Sequence, residues 1–453
     1  MAGKSTEIGR SEKLSPTRVL WVYALAISSI LAILAAFRGG YVGPDYDMHL
    51  ARLIAWPKIF DFSATSPPVY YLLGHGLFRL IGSKNAFPIT LSIIQTAINA
   101  LAMWWFFLYT ETRFKFSLIH LALVFFLSFL PVRVIHAATI GTDSATVPLF
   151  VLLLFLLDKF LRGKSSTTAQ KAAFLGLGLS LAIFTKYSFM ALLPAILAIL
   201  VCLFAKRGWT LGRFVRILVL SLALPSFLSL YSFWASSRVH GYNTEKHWQT
   251  TGMPPDMNYE DLFSLKAEDA KLFKAPEYFK RDILTAHRHS YLGLSHMGVF
   301  TDPMNLFQDL PVAQHVGGVL IPDQKTRRPW KTPIMTASMS LGAVWTFLAL
   351  VGTAWALFCG LGNLLQGKLE REDATILLGV AYFLLMFVPI PFVYAGALFG
   401  YWTPRLILPP LLSFFLAAFV LIDRKMAERS SRMAFAVLTL VIVQCATEAV
   451  MLA

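Results

Sequence analysis

Asp45, Asp47 and His49 stand close together in the stretch GPDYDMHLAR (43–52), just after the first long apolar run. Carboxylates beside hydrocarbon are costly and mark places that use them. An aspartate there can act as a general base on a hydroxyl or amine. Asp45 and Asp47 stand two apart in a Gly-Pro-led turn, and only one of them is expected to face a reacting centre. The other starts a helix. His49 is either a hydrogen-bonding group beside that centre or an interfacial side chain. Asp143, in the turn HAATIGTDSA (136–145), either caps the following helix or joins Asp45 as a second acidic group. Lys186 and its neighbour Tyr187, in TKYS, and Arg405, in FGYWTPR, sit at the ends of apolar runs. Fixed cations there suit a phosphate, which Arg can hold bidentately; the alternative is snorkelling to headgroups. Arg133 and His136, just ahead of the second turn, either face the same cavity or pack between helices. His287 and His289 have a spacing with no metal specificity. No cofactor is required by these residues, and a divalent metal is compatible with them without being demanded.

The elements that position these groups follow from composition. Of 453 residues, 56% are hydrophobic and 14% charged, against about 25% charged in a soluble domain. The fold class is therefore an all-α polytopic membrane protein. Runs long enough to cross about 30 Å of hydrocarbon are 19–37, 87–109, 116–135, 144–161, 170–187, 189–205, 214–235, 333–359, 374–398, 404–422 and 433–451, about 11 transmembrane helices. The net charge of +15 falls in short loops between these runs, the pattern that orients membrane proteins, which excludes nucleic acid as a partner. The segment 67–82, PPVYYLLGHGLFRLIG, reaches only about 24 Å as a helix and carries His75 and Arg79. If it lies on the membrane as an interfacial helix, the basic clusters at 113–115, 159–171, 206–216, 368–371 and 424–432 all fall on the cytoplasmic side. The candidate residues then all face the opposite side. A second interfacial helix is expected over about 47–60. Three regions result: a transmembrane module over 1–235 with the loop 38–86, a large external loop over 236–332, and C-terminal helices over 333–453. The loop reads as an irregular cap with a few short helices. Trp104, Trp105, Phe106 and Phe107 read as an interfacial aromatic belt.

The order of these motifs resembles the GT-C superfamily of membrane glycosyltransferases. The acidic motif after the first span is followed by a helix with an Ala-Arg pair, then by the Pro-Pro-aromatic helix, then by the Thr-Asp turn GTDSA. A Gly-rich span ending in Thr-Lys (GLGLSLAIFTKY) and the aromatic-Pro-Arg segment YWTPRLILPP complete the likeness. It is similar to the branch of protein O-mannosyltransferases and lipid A aminoarabinose transferases, best over 19–235 and more weakly over 375–422. The resemblance implies transfer of a sugar from a polyprenyl-phosphate donor, usually with inversion, on the non-cytoplasmic face of a membrane. The acceptor would be a protein, lipid or glycan. By position, Asp45 matches the base, Asp143 the second acidic site, and Lys186 and Arg405 the carrier phosphate. Where relatives often have Asp-Glu, this chain has Asp45-Tyr46-Asp47, so Asp47 is a second candidate base. Thr65-Ser66 replaces the Glu-Lys of the aminoarabinose enzymes, which argues against a lipid A acceptor. Compact size points to a bacterial plasma membrane. An oligosaccharide ligase or polymerase is the alternative enzyme, and a transporter of lipid-linked solutes the alternative outside enzymes.

Overall fold

The computed structural model of the chain describes residues 15–38, 46–56, 68–162, 167–240, 291–300, 312–316, 319–322, 331–366, 368, 371–388, 407–425 and 431–452. The first helices are α1 (Pro16–Arg38), α2 (Tyr46–Ala55), α3 (Pro68–Ile81) and α4 (Ala86–Glu111). Next come α5 (Ser117–Phe129), α6 (Pro131–Ala138), a 3₁₀ turn (Thr142–Ala145), α7 (Thr146–Leu161) and α8 (Thr168–Thr185). A second 3₁₀ turn (Tyr187–Ala191) leads to α9 (Leu192–Arg207), α10 (Leu211–Leu218) and α11 (Leu224–His240), the last two joined through a π turn at Val219–Ala223. The later elements are α12 (Tyr291–Phe300), the strands β1 (Val312–Val316) and β2 (Val319–Pro322), α13 (Lys331–Leu365), α14 (Arg371–Phe387), α15 (Leu408–Lys425) and α16 (Ser431–Leu452).

Among the described residues, eight helices are long and apolar enough to cross a membrane, and the bent pair α5/α6 makes a ninth. The other two expected spans are helical over their described parts but less apolar or shorter. α14 has 17 residues, and α15 ends on Asp423, Arg424 and Lys425. α3 has 14 residues, about 21 Å at the helical rise, too short to span. Its Leu73 and Leu80 are 69% and 86% exposed, while Tyr70, Tyr71 and Gly74 face the bundle. α2 ends earlier than the expected 60, at Ala55.

The run 116–135 reads as one straight span, yet α5 and α6 meet at 51°. Pro131 is the cause. It has no N–H to donate and forces Leu130 out of the helical region, to φ −53°, ψ 117°. The aromatic cluster on α4 also divides differently from expectation. Trp105 is exposed, but Phe106 and Phe107 are fully buried, because four consecutive residues point around the whole helix. Trp21 of α1 packs edge-on against Trp104 and Phe107.

Of the long loop between α11 and α13, the described residues form two strands and one short helix, and the rest of it lies outside the described residues. β1 and β2 pair as an antiparallel hairpin, and α12 is lodged in the bundle. Phe300 is fully buried, edge-on to Phe126 of α5 and Phe415 of α15. The Ser338 hydroxyl of α13 donates to the Phe300 carbonyl at 2.9 Å. Ten residues are too few to register as a span, so hydropathy alone leaves this segment outside. α13 and α15 meet backbone to backbone at Gly352, where a Cβ would stand 2.7 Å from the carbonyl of Ala417. Gly352→Ala should therefore separate these helices and cost about 1–3 kcal/mol, read as a lower thermal midpoint in detergent. Gly362→Ala, where a Cβ meets open space, should leave the midpoint unchanged.

Candidate functional site

The ends of α6 and α8 and the starts of α4, α7 and α9 lie at one end of the bundle, and His49, Asp143, Lys186 and Tyr187 gather there. Lys186 closes α8 in extended conformation and is buried. Its ammonium forms a salt bridge with the carboxylate of Asp143, itself buried, from the 3₁₀ turn ahead of α7. α7 opens at Thr146 without a side-chain cap. The carboxylate is thus directed at Lys186 across the α7–α8 pair. An ion pair taken this far from water is costly unless both charges are matched, so each residue fixes the other's position. Tyr187 follows, half-buried. The turn it begins is held by the Tyr382 hydroxyl of α14, which donates to Ser188 at 2.5 Å.

The 142–145 turn is joined to α2 and α3 by a group of aromatic side chains. The Tyr70 hydroxyl accepts the Gly141 N–H at 2.8 Å and the Gln95 side-chain amide at 2.7 Å. Burial raises its pKa above the ordinary tyrosine value, so the phenol stays protonated. The Tyr71 hydroxyl meets Nδ1 of His49 at 2.6 Å, and the two rings stack with centroids 5.9 Å apart. His49 is buried and lies against Gly141, where a Cβ would come within 3.2 Å of its ring. A side chain at 141 would require the His49 ring to shift by a few tenths of an ångström. His75 of α3 also bonds the Leu53 carbonyl of α2 at 2.9 Å. One face of α3 therefore holds His49 against Gly141, two residues along the chain from Asp143.

Other candidates lie elsewhere. Arg133 is buried inside the bundle; its guanidinium donates to Asn99 Oδ1 at 2.8 Å, to the Ser28 hydroxyl at 2.9 Å and to the Ser128 carbonyl. The break at Pro131 deprives carbonyls of α5 of their helical donors, and Arg133 supplies one. His136 is buried one turn further along α6. Asp45 and Arg405 lie outside the described residues, and of Asp47 only the helical backbone is described. Among the described residues no group of three or more His, Cys, Asp or Glu could hold a metal ion. Tyr70, Tyr71 and Gln95 are site residues that sequence reasoning missed. The Pro-Pro-aromatic start of α3 was their visible signal, but nothing local shows which way the two rings point.

These features define a helical polytopic membrane protein with a buried Asp–Lys pair and an aromatic clamp at one end of its bundle. No protein-family model matches the chain, and no curated protein matches it. Among solved structures it is similar to an oligosaccharyltransferase of Archaeoglobus fulgidus in the apo form, with 14% identity and a TM-score of 0.47, over 96% of this chain and 56% of that one. It is also similar to the oligosaccharyltransferase AglB of the same archaeon in complex with an inhibitory peptide and a dolichol-phosphate, with 13% identity and a TM-score of 0.48, over 96% of this chain and 55% of that one. The chain thus spans a little over half the length of those enzymes.

Proposed function

We propose that this protein transfers a sugar from a polyprenyl-phosphate donor to an acceptor hydroxyl or amine on the non-cytoplasmic face of a bacterial plasma membrane. The observation that carries this reading is the buried Asp143–Lys186 pair beside His49. It pairs a fixed cation with a carboxylate two residues along the chain from Gly141, against which His49 of α2 packs, and the first residue of α2, Tyr46, directly follows Asp45 in the chain. Asp45 takes the acceptor proton as the acceptor atom bonds to C1 of the sugar. The C1–O bond to phosphate breaks with inversion, and the polyprenyl phosphate leaves with the electron pair. Lys186, oriented by Asp143, and Arg405 stabilise the charge that grows on that phosphate. His49, held by Tyr71, orients the acceptor.

The test is transfer from radiolabelled polyprenyl-phosphate sugars in membranes, comparing the parent with Asp45→Asn and Asp47→Asn. Loss of a general base should slow transfer by about 10²–10⁴-fold. Asp45→Asn should show that loss and Asp47→Asn should not; the reverse would move the base to Asp47. Full transfer in both would remove the base assignment, and no donor consumption by the parent would remove the enzyme reading.

A further inference from the structure

The end of the bundle away from His49 and Asp143 carries a second charged feature. α4 links the two: Gln95 bonds the clamp, while Glu111, about 24 Å further along the helix, pairs with Arg18 at 2.8 Å. Beside that end opens a cavity of about 480 Å³ lined by Arg113, Lys115, Trp355, Arg424 and Lys425. None of these five residues is a carboxylate.

The convergence of four cations has a structural cause. Asp423, fully buried at the end of α15, accepts the backbone N–H of Lys115 with one oxygen at 2.9 Å and that of Phe116 with the other at 3.0 Å. It thereby holds the start of α5 against the end of α15. Arg113 and Lys115 come to stand beside Arg424 and Lys425. The Arg424 guanidinium lies over the Trp355 ring, 5.6 Å from its centroid, which fixes its plane. Lys115 and Lys425 are exposed at the mouth. Four cationic side chains lining one cavity offer a set of donors matched to an anionic group.

We propose that this cavity binds the headgroup of an anionic phospholipid, and that a lipid with two phosphates fits its four cations best. Basic pockets between transmembrane helices recognise lipid phosphates in this way. The surroundings favour a lipid over a soluble anion. From Trp355 back towards the middle of the bilayer, the same helix presents Val351, Phe347 and Val344, 42%, 65% and 47% exposed, an apolar track along which acyl chains can lie. Trp at such a depth is characteristic of the headgroup level. This site is separate from the proposed transfer site and does not depend on it.

The experiment is native mass spectrometry of the full chain, offered phosphatidylcholine, phosphatidylglycerol and cardiolipin together, with inorganic phosphate as a separate competitor. Cardiolipin should be retained preferentially. Lys115→Gln/Lys425→Gln, which alters only exposed side chains, should weaken retention roughly 25-fold, about five-fold per cation. Lys206→Gln/Arg216→Gln removes the same charge from exposed sites on other helices and should retain the lipid as the parent does. An equal fall in both variants would reduce the effect to general surface charge and overturn the proposal. So would an unchanged Lys115→Gln/Lys425→Gln variant, or displacement of the lipid by inorganic phosphate at the lipid's own concentration.

Discussion

Lys186→Met should lower sugar transfer by about 10²–10³-fold and destabilise the protein by about 3–5 kcal/mol. Both effects follow from the burial of its partner. Without the ammonium, the Asp143 carboxylate is left in a place from which water is largely excluded. Asp143→Asn should be damaging for the mirror reason, leaving the Lys186 charge unmatched. The informative variant is the double one. Replacing a buried pair by neutral side chains is often nearly neutral for stability, so Asp143→Asn/Lys186→Met should regain much of the lost thermal midpoint. It should not regain transfer, because the cation beside the phosphate is still missing. Recovery of both would show that the pair only joins α7 to α8. The two readouts are thermal unfolding in detergent and transfer in membranes.

Arg133→Met should be the most destabilising single change in the first six helices, again by about 3–5 kcal/mol. Three acceptors on different elements lose their donor together: Ser28 on α1, Asn99 on α4 and the Ser128 carbonyl on α5. Each buried group left unsatisfied costs about 1–3 kcal/mol. Arg133→Lys should recover only part of this, because an ammonium is a point charge and cannot present a planar fork to three acceptors. Whatever folded protein remains should keep its KM for the donor, since the guanidinium is occupied within the bundle. An unchanged thermal midpoint would show that the network contributes little. A raised KM in well-folded Arg133→Met protein would return Arg133 to the substrate.

Hydropathy made most of the helical architecture legible, because apolar runs of this length have few alternatives in a membrane. Length and charge likewise marked 67–82 as something other than a span, and it folds as the 14-residue α3. What escaped reading depended on tertiary contact. The 43-residue separation of Asp143 and Lys186 has no periodic signature, so the carboxylate and the ammonium were each read against something else: a helix cap or second acid, and a phosphate. Arg133 and Phe300 escaped for a related reason. A buried arginine and a ten-residue helix look ordinary until the break at Pro131 and the packing of α12 give them partners. His49 stands out in a short polar stretch, whereas nothing in the sequence shows that Tyr71 holds it in place.

The separations along the chain also bear on the order in which a ribosome delivers these contacts. Every acceptor of Arg133 precedes it in sequence, at residues 28, 99 and 128. That junction can therefore close once α6 has left the insertion machinery. Asp143 must wait for a lysine 43 residues later, an interval of a few seconds at typical elongation rates. During that time the aspartate at the head of α7 lacks the cation that will balance it. Nascent chains halted within α8 should therefore hold the Arg133 junction formed and the 142–145 turn still open.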